Sequence, residues 1–142
     1  CFSVIEKNIL FSGDIVMGWT STLISPPDGD VGQYFNSLDK LLNRSDNVYL
    51  PGHGHQVEDA KTYVAKLKKH RMERENQILS ILKIRPLNSY QIANKIYKNQ
   101  PQPIIYAGSR NVFAHLINLL EKNLICCHGA ISPDNYFEFI NK

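Results

Sequence analysis

Two side chains in this sequence are set up for chemistry by what surrounds them: Asp14 and His53. The stretch Val48-Tyr49-Leu50-Pro51-Gly52-His53-Gly54-His55 is a short apolar run that passes directly into a histidine bracketed by glycines. Glycine tolerates positive φ and lets other backbone come close, so the imidazole of His53 can stand at a strand end beside another group. Ile9-Leu10-Phe11-Ser12-Gly13-Asp14 repeats the design with a carboxylate: an apolar run, a glycine, then an acid. Imidazole and carboxylate are ligands that suit zinc, iron or manganese. Taken singly, each is an ordinary turn residue; taken together, they are a candidate pair of metal ligands.

The surrounding elements must bring the two together. Residues 1–5 and 9–12 read as strands joined at Glu6-Lys7-Asn8, a connection of hairpin length with Asn available for a left-handed position. This pair would deliver Asp14 from an antiparallel edge. Residues 15–29 turn irregular, with Gly18-Trp19 and then Ser25-Pro26-Pro27-Asp28-Gly29, and loops after a strand end commonly wall a site. Trp19 there reads either as a surface that stacks on a substrate or covers the metal, or as a buried loop anchor. Asp30 is an N-cap for a helix whose apolar residues Val31, Tyr34, Phe35, Leu38, Leu41 and Leu42 keep helical spacing. The strand at 48–50 comes next, so helix then strand makes half of an α/β layer.

A long helix is expected from Glu58-Asp59 to about Lys83, stopped by Arg85-Pro86. Ala60, Val64 and Leu67 give it an apolar side early and Ile78, Ile81 and Leu82 late, while the nearly all-polar 68–75 between them reads as a bridge between two cores. Ser89 is the expected cap of a short helix with Ile92, Ala93, Ile96 and Tyr97. Residues 99–110, with Pro101, Pro103 and Gly108, read as a loop. A third helix then runs from Val112 to Asn123. Strands at 124–128 and 136–140 complete a plan of three helices and a hairpin, that of a winged helix.

Phe11-Ser12-Gly13-Asp14 followed by Pro51-Gly52-His53-Gly54, with a helix between, resembles the second half of a metallo-β-lactamase-fold hydrolase. The stretches 19–42 and 70–82 are most similar to the subgroup that adds a small winged-helix domain, which includes a single-strand-specific ribonuclease. The resemblance implies a fold of class α/β: the C-terminal half of a metallo-β-lactamase αββα fold over residues 1–70, then a winged-helix-like (α+β) domain over 71–142. It implies two zinc ions in the complete site, bridged by Asp14 and bound at one end by His53. The family's His-x-His-x-Asp-His motif is not in this sequence, and Gln56-Val57 follows His53-Gly54-His55 where Asp and His would be needed. Two ligands do not hold a di-metal site against water, so the isolated chain is expected to be inactive. With those ligands missing it reads as the C-terminal piece of a larger enzyme or as a relic of one, and its start on Cys1 rather than Met is that expected of a truncated, cleaved or partial product.

At 142 residues and 43% apolar content the chain is sized for one ordinary core or two small ones. It carries no apolar run near the roughly 20 residues that span a bilayer, and no signal-peptide pattern. Cys1, Cys126 and Cys127 are an odd set with an adjacent pair, which is no disulfide framework and points to a reducing compartment, the cytoplasm. Cys1 as an N-terminal nucleophile competes with a plain strand over 2–5, and no oxyanion-hole feature accompanies it. His128 beside Cys126-Cys127 invites a metal reading, against which stands a half-buried strand.

The net charge of +3 hides an asymmetry: residues 1–60 hold three basic and eight acidic side chains, and residues 61–100 hold ten basic and two acidic. Three readings arise. The first is a metal-dependent hydrolase acting on RNA or on thioester or ester substrates. The second is a nucleic-acid-binding or interaction module that uses the basic belt, with single-stranded RNA as partner; its presumed recognition helix is poorly equipped, with Arg110 at one end and Lys122 at the other. The third is a non-catalytic chain that survives by association, with a separate N-terminal half or a second copy completing its sheet.

Overall fold

The computed structural model describes residues 1–140; the last two residues of the expected winged-helix-like domain lie outside the described residues. The chain divides into two compact units. One comprises Cys1–Leu23 and Gly32–Arg71, and the other Ile24–Val31 with the chain from Met72 onward. Residues 24–31, read from sequence as part of the first half, therefore pack with the second. Arg110 Nε donates to Ser25 Oγ at 2.7 Å, one of the bonds that hold them there.

In the first unit, β1 (Phe2–Val4) and β2 (Ile9–Gly13) pair antiparallel, and β2 pairs parallel with β3 (Val48–Pro51). The turn between β1 and β2 is a single 3₁₀ turn closed by Asn8 at φ 53°, where its N–H bonds to Ile5 O. A parallel pair needs a crossover, and α1 (Val31–Leu42) supplies it. Val31, Tyr34, Leu38 and Leu41 of α1 are all buried, three or four residues apart, which is one stripe of a helix. The far edge of β3 is covered at Tyr49, which exchanges backbone bonds with Val57 at 2.8 and 2.9 Å.

Helix α2 (Ala60–Leu82) begins where Asp59 Oδ1 accepts from Thr62 N–H at 3.3 Å, satisfying one of the orphan donors of a helix start. Its stretch 68–75 is not uniformly solvated. Val64, Leu67, Arg71, Glu75, Ile78 and Leu82 form one buried stripe at helical spacing, so two charged side chains stand in phase with the apolar ones.

The second unit contains the later turns of α2, then α3 (Ser89–Ile96), α4 (Gln102–Glu121) and the hairpin of β4 (Ile125–Cys127) and β5 (Phe137–Phe139). Leu87 adds a bridge to Phe137. Ile78, Leu82, Ile92, Val112, Leu116 and Phe137 belong to its shared core. The cap of α3 is Asn88 rather than Ser89: Asn88 Oδ1 accepts from Gln91 N–H while Gln91 Oε1 accepts from Asn88 N–H, a capping box. Ser89 is buried at the first helical position, and both its N–H and its hydroxyl donate to Pro133 O.

The loop expected over 99–110 is mostly helix. Pro101 is the N-cap of α4 and Pro103 falls in its first turn, where the missing N–H has no intrahelical acceptor to lose. Gly108 sits inside the helix because the Tyr97 ring lies against it: a Cβ at that position would come 2.3 Å from Tyr97 Cε2. Between α4 and α2 lies a polar cluster around Glu75. Burial pushes its carboxyl up, but His115, 3.6 Å away, and the hydrogen bonds donated by Lys122 and Asn118 outweigh this and leave it below the usual carboxylate range. No helix among the described residues is long and apolar enough to cross a membrane.

Candidate metal centre

Asp14 and His53 meet at the ends of the parallel strands β2 and β3. His53 Nδ1 lies 2.7 Å from Asp14 Oδ1, and their side chains remain 60% and 57% exposed. A carboxylate only accepts, so in this contact the imidazole nitrogen donates.

The strand ends are shaped to make that contact. Phe11 pairs with Leu50 and Gly13 with Pro51, so Ser12 is an extra residue on β2. Such a bulge bends a strand and re-aims the residues beyond it. Ser12 is buried, and its hydroxyl donates to Val16 O at 3.0 Å. Gly13 takes φ +58° and accepts from Gly52 N–H at 3.1 Å. A Cβ on Gly52 would stand 2.8 Å from Asp14 Oδ1, so only glycine leaves the carboxylate room.

The loop from Asp14 to Leu23 is held through its backbone groups in sequence. Tyr34 Oη donates to Ile15 O at 3.1 Å, Tyr63 Oη to Met17 O at 2.8 Å, and Gly18 N–H to His53 O at 3.0 Å. Thr22 Oγ1 bonds to Asp14 O, and Arg71 Nη2 bonds to Thr22 O. Gly18 interlocks with the histidine turn: a Cβ there would fall 1.8 Å from His55 O, and Gly54 at φ +89° packs against Gly18 from the other side. Arg71 is 1% exposed and its guanidinium lies 5.3 Å from the centroid of the Tyr34 ring. Burial pushes the Tyr34 hydroxyl up and outweighs the opposing effect of Arg71, in keeping with its role as the donor to Ile15 O.

Trp19 is 71% exposed, which removes its reading as a buried anchor. Arg71 leaves the basic belt for the interior, Lys68 pairs with Asp39, and Arg74 and Lys83 lie over the rings of Tyr97 and Phe139. The roles of Gly18, Thr22, Tyr63 and Arg71 were not read from the sequence. For Arg71 a signal existed, since it stands in phase with Val64, Leu67 and Ile78.

In kind, the donors fit zinc: one carboxylate and one imidazole. In number they fall short. Among the described residues, the converging group of three or more His, Cys, Asp or Glu ligand atoms lies on the β4–β5 hairpin, and Asp14 and His53 gather no third.

No family model matches the sequence. The chain is similar to "Beta-lactamase-like protein 2 homolog" of Caenorhabditis elegans, with 29% identity over 94% of this chain and 42% of that protein. It is also similar to an atrochrysone carboxyl ACP thioesterase of Aspergillus chevalieri, with 31% identity over 58% of this chain and 26% of that protein. Among solved structures, a metallo-β-lactamase family protein from Thermus thermophilus superposes with a TM-score of 0.79 at 21% identity, over 95% of this chain and 43% of that one. The chain is thus a metallo-β-lactamase-fold protein. It spans about two fifths of the length of the first of these relatives.

Proposed function

We propose that this chain supplies the second half of the active site of a metal-dependent hydrolase, with Asp14 and His53 as metal ligands. The observation that carries the reading is the 2.7 Å approach of Asp14 Oδ1 and His53 Nδ1 at the ends of two adjacent parallel strands. Asp14 would bridge two zinc ions and His53 would bind one, the remaining ligands coming from outside this chain's donor set; bound there, the ions would polarise the scissile carbonyl or phosphoryl group and lower the pKa of an attacking water. The chain's own residues fix the donors. The Gly18–His53 backbone bond and the Thr22 hydroxyl on Asp14 O set the two residues against each other before anything binds. In isolation the chain is inactive, because two protein ligands do not hold an ion tightly.

Two substrate classes are supported by different observations. The thioesterase name of one relative supports acyl thioesters. The exposed cations Lys61, Lys66, Arg85, Lys95 and Lys98 lie along the stretch of chain that leads into and enters what we read as a winged helix built from α3, α4 and the β4–β5 hairpin, and they support single-stranded RNA.

The test is hydrolysis by a polypeptide in which this chain is joined to a half that bears His-x-His-x-Asp-His, assayed on an acyl thioester and on single-stranded RNA. The expected result is chelator-sensitive cleavage of one of them, lost in Asp14→Ala and in His53→Ala, with no turnover by the isolated chain. Cleavage that resists chelation, or that survives both substitutions, overturns the reading.

A further inference from the structure

The β4–β5 hairpin carries a second set of ligating side chains, which the Asp14–His53 reading leaves unused. Antiparallel register sets Cys126 opposite Glu138 and Cys127 opposite Phe137, and His128 N–H donates to Tyr136 O at 2.9 Å. Successive side chains on a strand point to opposite faces. Ile125 and Phe137 are 2% and 0% exposed, which fixes the inner face. Cys126, His128 and Glu138 therefore share the outer one. His128 Nε2 lies 2.8 Å from Glu138 Oε2 along the diagonal of the pair, a reach open to long side chains. The ligand atoms of Cys126, His128 and Glu138 all lie within 4.8 Å of one another.

We propose that Cys126, His128 and Glu138 form a binding site for a zinc-like divalent ion, with three protein ligands and an open fourth position. The donor set selects the ion class. Thiolate disfavours magnesium and calcium, imidazole and thiolate together suit zinc and its neighbours, and three ligands with one open position is a common zinc arrangement. The charges of one thiolate and one carboxylate balance a divalent ion. Because Cys126 is exposed and the His128 and Glu138 side chains are 56% and 45% exposed, the ion reaches the site without unfolding and no charge is buried. The site stands apart from the hydrolase reading and does not depend on it.

Cobalt(II) titrated into the full chain tests the proposal, since a cobalt–thiolate bond has its own charge-transfer absorption. The titrated protein carries Asp14→Ala, His53→Ala and Cys1→Ser, so that neither the strand-end pair nor the terminal thiol contributes. One equivalent is expected to bind with thiolate absorption. Cys126→Ser, His128→Ala and Glu138→Gln should each weaken binding by about tenfold or more, as even outer-shell losses cost that much. Cys127→Ser should leave it unchanged, because that sulfur faces the other way and contacts Ala130 O at 3.5 Å. Far-ultraviolet circular dichroism checks that each exposed substitution keeps the fold. Absence of thiolate absorption, binding that survives Cys126→Ser, or binding lost in Cys127→Ser overturns the proposal.

Discussion

Asp14 Oδ1 and His53 Nδ1 are 2.7 Å apart although 39 residues separate them, and both side chains remain more than half exposed. Each therefore contributes little packing. Asp14→Ala and His53→Ala should each change unfolding free energy by no more than about 0.5 kcal/mol, the range for exposed sites. On the proposed function, metal-dependent hydrolysis by this chain joined to a half that bears His-x-His-x-Asp-His should fall by about a hundredfold or more. Urea denaturation beside a rate assay separates the two effects; a large loss of stability would show that the pair is structural.

Two glycines of the centre should fail in different ways. In Gly18→Ala the new methyl meets the fixed backbone of His55, at 1.8 Å from its carbonyl oxygen, so the Asp14–Leu23 loop must move. That variant should lose about 1–3 kcal/mol or more. Gly52→Ala meets only the Asp14 carboxylate, a side chain that can swing away. It should keep most of its stability and lose activity as Asp14→Ala does, a split that thermal unfolding and the hydrolysis assay would reveal.

Gly108→Ala should invert the usual helix rule. In an ordinary helix interior the change stabilises by about 1 kcal/mol. In α4 the methyl would lie 2.3 Å from Tyr97 Cε2, under a ring that also carries the Arg74 guanidinium at 4.8 Å, so the change should destabilise by about 1–3 kcal/mol. With Tyr97→Ala already present, Gly108→Ala should become stabilising. A double-mutant cycle in urea reads the coupling.

Glu75 should make the second unit acid-sensitive. Its folded carboxyl is held below the unfolded value despite the opposing effect of burial. The stabilisation is therefore fully present above the unfolded pKa of about 4.3 and is lost as pH falls through the lower folded one. In Glu75→Gln the urea midpoint should depend less steeply on pH across that acid range than in the parent. Equal slopes would mean that other carboxylates carry the effect.

The parts of this molecule governed by local rules were legible in the sequence. The spacing of Val31, Tyr34, Leu38 and Leu41 announces α1, and the two apolar runs ending in glycine and a polar residue announce β2, β3 and the candidate ligands they carry. Where a residue answers to a distant one, the sequence was opaque. Pro101, Pro103 and Gly108 look like breakers until the prolines are seen in a first turn and the glycine under Tyr97. Arg71 looks like part of a solvated basic run because Thr22, its acceptor, is 49 residues away. Glu75 is similarly hidden from Asn118 and Lys122, 43 and 47 residues on. The capping box shows a nearer limit, since Asn88 and Ser89 are both good caps and only Gln91 decides between them.

The meeting of Gly18 with the Gly54 turn is made of backbone alone, and this divides the centre into two separately editable texts. The frame that fixes where residues 14 and 53 stand is specified by missing side chains, at 18 and 54. The chemistry is specified by the two side chains that are present. A change of side chain at 14 or 53 leaves those backbone contacts as they are, so the groups presented there can be exchanged without rebuilding the loops. Any side chain added at Gly18 changes the frame whatever the ligands are.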